Sequence, residues 1–189
     1  MAKRINNNVK DQILKSTLNI IDDIDIHNIS LAQIATATGV SKGTLYYYYN
    51  SKDKLLLDLT ELILKEQLDE LNLWINDPSK DTTLHRLVMY IMQYDTQKFC
   101  QRVYLNFSAI KGNETVRELF VKKYNEFSEI FANLISERIQ GVDAHFASWL
   151  ILLLCDGIVL QKSLKNDSFN EDYFIEKCCE YAKLLENKQ

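Results

Sequence analysis

The chain has 189 residues, 47% of them apolar and 25% charged, with a formal net charge of −4. That composition is globular, supports a core without metal or disulfide staples, and excludes both a disordered chain and one that is basic throughout. Lys and Arg outnumber Asp and Glu seven to five in residues 1–54 and are outnumbered fifteen to twenty-one in the remainder. This unevenness either arises by chance or fits nucleic-acid binding confined to one end.

One proline, Pro78, and five glycines are few breakers for this length, which favours an all-α chain of about nine helices. Val9, Ile13, Leu14, Leu18, Ile20, Ile21 and Ile24 recur at helical spacing and predict a first helix over about residues 8–24. Ser30 has the character of an N-cap, with Gln33 completing a capping box, and opens a short helix to about Thr36. Gly39 supplies a turn. Ser41 caps a third helix that runs to Tyr48 or Tyr49, and Ser51 caps a long fourth one to about residue 76. Further helices are expected at about 81–98, 99–111, 115–139, 143–165 and 171–186. The opening residues MAKRINNNVK lack the apolar stretch of a signal peptide, and the most apolar run, Ala147–Cys155, falls short of the roughly 20 residues that span a bilayer. A cytoplasmic protein without a membrane partner is expected. Cys100, Cys155, Cys178 and Cys179 have no metal-ligand spacing and read as small apolar residues, so no metal or cofactor is expected.

Helix, glycine-containing turn, helix is the arrangement of a DNA-binding helix-turn-helix, and equally of a plain helical hairpin. In LAQIATATGVSKGTLYYYY, Ile34, Ala35, Val40 and Leu45 take the packing positions. Ser41, Lys42, Gly43 and Thr44 open the second helix, the part that such motifs present to base edges. Tyr46–Tyr49 cannot all be buried, because consecutive residues lie about 100° apart around a helix.

The stretch resembles the DNA-binding domain of the tetracycline-repressor (TetR) family of bacterial regulators. The resemblance covers about residues 8–56 and rests on Ile34-Ala35, Gly39-Val40-Ser41, Gly43-Thr44-Leu45-Tyr46, Ser51-Lys52 and Leu55. It implies that Tyr46 and Tyr47 flank the DNA backbone, that Tyr48 faces phosphate, and that Tyr49 packs back on the first and fourth helices. It further implies phosphate contacts from Ser30 and Lys52, with Lys42 the best candidate for a base contact. Lys3 and Arg4, in an arm expected to be flexible, add phosphate contacts or are merely solvated. Asp25, Ile26 and Ala32 depart from the family pattern. Ala32 removes a base contact that some members make through arginine.

The family also implies a domain division at residues 1–52 for DNA and 53–189 for effector binding and dimerisation. No motif of its own marks the second part. Trp74, Tyr90, Tyr94, Tyr104, Phe107, Phe127 and Phe131, with Phe99, either line an effector pocket or are core. His145, Asp156 and Gln161 lie on or near the most apolar helix. Asp156 has three roles open to it: pairing across a dimer interface, facing a cationic ligand, or being solvated. The helix at 143–165 is apolar around much of its surface and should be buried on several sides. By the family's plan it forms a two-fold four-helix interface with the last helix, through Trp149, Leu153, Leu160, Phe174 and Tyr181.

The function expected is that of a sequence-specific regulator, a homodimeric repressor of a pseudo-palindromic operator, released by a small-molecule effector. The alternative is a helical protein-interaction adaptor of the same fold without DNA binding. No paired carboxylates, phosphate loop or nucleophile–histidine constellation suggests an enzyme.

Overall fold

The computed structural model describes residues 2–21, 28–112 and 114–187; within these, nothing is described of the side chains of residues 2–8, 95–97, 99, 100 and 102. The described residues form nine helices and no strand. They are α1 (Ala2–Asn19), α2 (Leu31–Thr38), α3 (Lys42–Tyr48), α4 (Lys52–Ile75), α5 (Leu84–Gln97), α6 (Phe99–Lys111), α7 (Glu114–Ser136), α8 (Ala144–Ser163) and α9 (Glu171–Glu186).

The largest departure from expectation is α1. It begins at Ala2, so the supposed arm with Lys3 and Arg4 is helical, and it ends at Asn19 rather than near residue 24. Asn6-Asn7-Asn8 carries no apolar periodicity to announce a helix, and Ile20 and Ile21 prolong the apolar pattern into a turn. That turn is closed by bonds from the Ile20 and Ile21 amides to Thr17 and Leu18 carbonyls. Asp25 and Ile26 lie outside the described residues, as do the side chains of Lys3, Arg4, Phe99 and Cys100.

The chain divides into two compact units: Met1–Gln67 with Tyr104–Phe120, and Leu68–Val103 with Val121–Gln189. In the first unit α1 packs on α2, and α2 on α3. Ile13, Ile34, Leu45, Leu55, Leu59 and Ile63 are fully buried there, because each falls on the inner stripe of its helix. In the second unit α5 packs against α8 and α9 around Leu87, Met92, Ile135, Leu152, Cys155 and Ile158.

Two long-range contacts hold the start of α5, whose first turn carries no acidic residue. The Glu186 carboxylate accepts the Leu84 amide at 2.5 Å and meets His85 Nδ1 at 2.7 Å. The Arg138 guanidinium donates to the Thr82 carbonyl at 2.5 Å and to the Leu134 carbonyl at 2.7 Å.

Helix α8 bears on two expectations. Its full twenty residues are long and apolar enough to cross a membrane by length and composition, which the run Ala147–Cys155 alone does not reveal. In this fold Ile151, Leu152, Cys155, Ile158 and Val159 form a buried stripe of the second unit. Within the single chain the opposite side stays open: Phe146, Trp149, Leu150, Leu153 and Leu160 are exposed.

Candidate nucleic-acid interface

The helix-turn-helix is assembled by local hydrogen bonds that its sequence encodes. Ser30 Oγ accepts the Gln33 amide at 3.3 Å, and Gln33 Oε1 returns the bond to the Ser30 amide at 2.8 Å, a complete capping box. Helix α2 ends at Gly39, whose φ of 71° lies in the left-handed region that glycine enters without cost. Ser41 Oγ then accepts the Thr44 amide at 3.0 Å and lies 2.7 Å from Thr44 Oγ1, so both hydroxyls are fixed at the start of α3. Ser51 repeats the device at α4, accepting the Lys54 amide at 3.2 Å. Leu31, Ile34, Ala35 and Leu45 hold the two helices together from beneath.

The tyrosine run divides by face. Tyr46 and Tyr47 are exposed, Tyr47 by 73%, whereas Tyr49 has no exposed surface. Tyr48 is half-buried and meets Tyr47 edge-on at 5.1 Å between ring centroids. Ser30, Ser41, Lys42 and Gly43 are exposed, and Thr44 and Lys52 are half-buried. A Cβ added at Gly43 would meet nothing nearer than Ser41 Oγ at 4.0 Å, so the protein itself does not require glycine there. The outer face of α3 thus offers an ammonium, fixed hydroxyls, two phenols and a bare backbone. These are groups that donate to phosphates and base edges.

Beneath this face lies a cluster that sequence reasoning missed. Asp58, with 7% of its side chain exposed, receives Lys10 Nζ from α1 at 2.5 Å and Lys54 Nζ from its own helix at 2.8 Å. Lys10 Nζ also stands 5.9 Å from the centroid of the Tyr49 ring. Burial acts to raise the Asp58 carboxyl, but hydrogen bonds and charge from the two lysines outweigh it and hold the group below the ordinary carboxylate value. Burial, then the neighbouring Asp58 carboxylate, pushes the Tyr49 phenol up, so it stays protonated. The available signal was the position of Asp58 among the inward-facing Leu55, Leu56 and Leu59 of α4.

The aromatic residues expected around an effector fall in both units. Trp74 stacks on Tyr90 at 4.5 Å, Tyr90 is 6.0 Å from Tyr94, and Phe127 is 6.1 Å from a buried Phe131, all in the second unit. Tyr104 is buried in the first unit, where its hydroxyl donates to the Leu56 carbonyl at 3.0 Å and lies 3.3 Å from Thr60 Oγ1. Phe107, in the same unit, is exposed beneath the Lys111 ammonium. Asp156 accepts a hydrogen bond from the Tyr124 hydroxyl within the chain. On α8 and α9, Trp149, Leu153, Leu160 and Tyr181 are exposed, and Phe174 is half-buried. Leu153 and Phe174 line an open cleft of about 400 Å³. Burial, and next the adjacent Cys178, raises the Cys179 thiol to about 11, so it is not a ready thiolate at neutral pH.

Comparison with known proteins agrees with the geometry. The family model of bacterial regulatory proteins of the tetR family matches residues 13–59. The transcriptional regulator BetI of Stenotrophomonas maltophilia is 24% identical over 86% of this chain and 85% of its own length. The nucleoid occlusion factor SlmA of Shewanella denitrificans is 29% identical over 82% of each chain. A transcriptional regulator from Saccharomonospora viridis, solved in complex with choline, superimposes with a TM-score of 0.78 at 16% identity, over 94% of this chain and 96% of its own. The adaptor alternative draws no support from these relatives. The helix-turn-helix thus falls within the segment that matches the tetR-family model, and the chain shares its fold with the Saccharomonospora viridis protein over 94% of its length.

Proposed function

We propose that the protein is a homodimeric repressor that binds operator DNA through residues 1–52 and leaves it when a small molecule binds within residues 53–189. The observation that carries this reading is the outer face of α3, where Lys42, Gly43, Tyr46 and Tyr47 stand exposed on a scaffold fixed by three serine caps. Ser30, Ser41, Thr44, Tyr48 and Lys52 complete the DNA-facing set, with Lys42 toward a base and the others toward phosphate or the groove wall. The exposed apolar face of α8 and α9 supports dimerisation, since a lone chain would leave Phe146, Trp149, Leu150, Leu153, Leu160 and Tyr181 in water. A dimer reads successive major grooves when its two recognition helices stand about 34–36 Å apart. Effector binding lowers affinity by favouring a conformer without that spacing. The operator is a cytoplasmic target, and the role is regulatory rather than enzymatic.

The test is binding to duplex DNA from the protein's own upstream region against a scrambled duplex of equal length, at several salt concentrations. If that region lacks the operator, a random-duplex selection replaces it. Selective binding by a dimer that weakens steeply with salt supports the reading. Replacing Lys42, Tyr47 and Lys52 together by Ala should abolish selectivity while leaving the fold and the dimer intact. Choline, which the Saccharomonospora viridis protein holds, is the first effector to try, because aromatic side chains such as Trp74, Tyr90 and Tyr94 suit a quaternary ammonium.

A further inference from the structure

Lys10 and Lys54 lie in the mildly basic end of the chain, and by charge alone both would be counted as phosphate contacts. The structure gives both ammoniums another partner. They converge on one buried carboxylate, Asp58, at 2.5 and 2.8 Å. The two arms of this cluster differ. Lys54 is four residues from Asp58 on the same helix and ties nothing new together. Lys10 comes from α1, and its ammonium also lies 5.9 Å from the ring of Tyr49, the residue that ends α3. The cluster therefore joins α1, the carboxy end of α3 and the second turn of α4 around a buried carboxylate, whose lysine partners remain 39% and 50% exposed. Salt screens such a half-buried pair in part, and loss of Lys10 leaves the buried Asp58 carboxylate with Lys54 alone.

We infer that the Lys10–Asp58 pair positions the DNA-reading helix: it sets the seat of α3 between α1 and α4, and neither of its charges touches DNA. The inference rests on the DNA-binding reading above and assigns a role to groups beneath that surface. Without the pair, α3 keeps its caps and its exposed side chains but loses the contact that orients its far end. Selective binding, which needs several side chains in register with base edges, then suffers, while general attraction to phosphate does not.

The test uses the full-length protein and a duplex selected by the wild type from a random pool, against a scrambled duplex. Lys10→Met, Lys10→Arg and Lys54→Met are compared at a temperature well below all their melting points, with dimerisation checked by sedimentation. The expected result is a loss of about tenfold or more in selective affinity for Lys10→Met. Its non-selective affinity and its slope of log K against log salt should stay unchanged, Lys10→Arg should restore binding, and Lys54→Met should behave as wild type. A phosphate contact by Lys10 would instead lower both affinities and reduce the salt slope by about 1 per copy, which would overturn the inference. Wild-type selectivity in Lys10→Met would overturn it equally. If the wild type selects no duplex at all, the DNA-binding reading itself has failed.

Discussion

The helix-turn-helix and the α8–α9 face are built on different principles. From Ser30 to Lys52 nearly every turn has a named local cause: a capping box, a left-handed glycine, a serine cap, and then another. Helices α8 and α9 are capped too, by Asp143 and Asn170, but the face they share owes its character to the quantity of apolar surface, part of it packed on α5 and part left open. Local chemistry specifies the direction of individual side chains, which a reader of base edges needs. Bulk burial specifies that two surfaces meet and tolerates many ways of filling the contact. The first region should therefore be sensitive to small, shape-preserving changes, and the second only to changes of polarity.

The contrast is tested most severely at α8. Leu153→Asp combined with Leu160→Asp places two charges per subunit on the exposed apolar face. It should raise the dissociation constant of the proposed dimer by about 100-fold or more, because a desolvated unpaired charge costs several kcal/mol. Sedimentation velocity reads this directly. A neutral exchange such as Leu153→Met should change it little.

A smaller effect is expected at Asp58. Asp58→Asn should cost about 1–3 kcal/mol at neutral pH by chemical denaturation, since it removes the charge that Lys10 and Lys54 share. The folded carboxyl sits below its ordinary value, so its contribution is present in full above about pH 4 and is lost as pH falls through the lowered value. The gap between wild type and variant should accordingly narrow in denaturation at pH 3. Gly39→Ala comes next: forcing an L side chain to a φ of 71° should cost about 1–2 kcal/mol.

The smallest change is the most telling for the comparison. In the isolated protein Gly43→Ala has free space and a better helix former, so it should gain up to about 1 kcal/mol of stability. Measured on the selected duplex, it should nonetheless weaken binding severalfold if, as proposed, the Gly43 backbone approaches DNA. A variant that bound DNA as well as wild type would show that Gly43 has no part in recognition.

What was legible in the sequence follows the same division. Ser30 with Gln33, Gly39 and Ser41 act on residues within four positions of themselves, and each is visible in the chain as a short pattern. The fully buried Tyr49, after the exposed Tyr46 and Tyr47, likewise follows from helix geometry and the family pattern. The Lys10–Asp58 pair joins residues on different helices, and no local pattern connects them. The early start of α1 was hidden because Asn6-Asn7-Asn8 adds helix without adding periodicity. Tyr104 shows a further limit, since composition counts a buried, hydrogen-bonded phenol and a pocket-lining one alike. Helix α8 shows where composition stops: apolar residues all round a helix call for cover on every side, and one chain supplies only part of it.

The carboxylate at the start of α5 has a consequence for observing the molecule. First-turn amides of a helix have no intrahelical acceptor and ordinarily exchange with solvent early. The Leu84 and His85 amides are instead held by Glu186 at 2.5 and 3.4 Å, from the last turn of α9. Their hydrogen–deuterium exchange thus clocks the undocking of α9, a helix that carries part of the exposed apolar face. Two amides at one end of α5 become a native gauge of whether that face is in place.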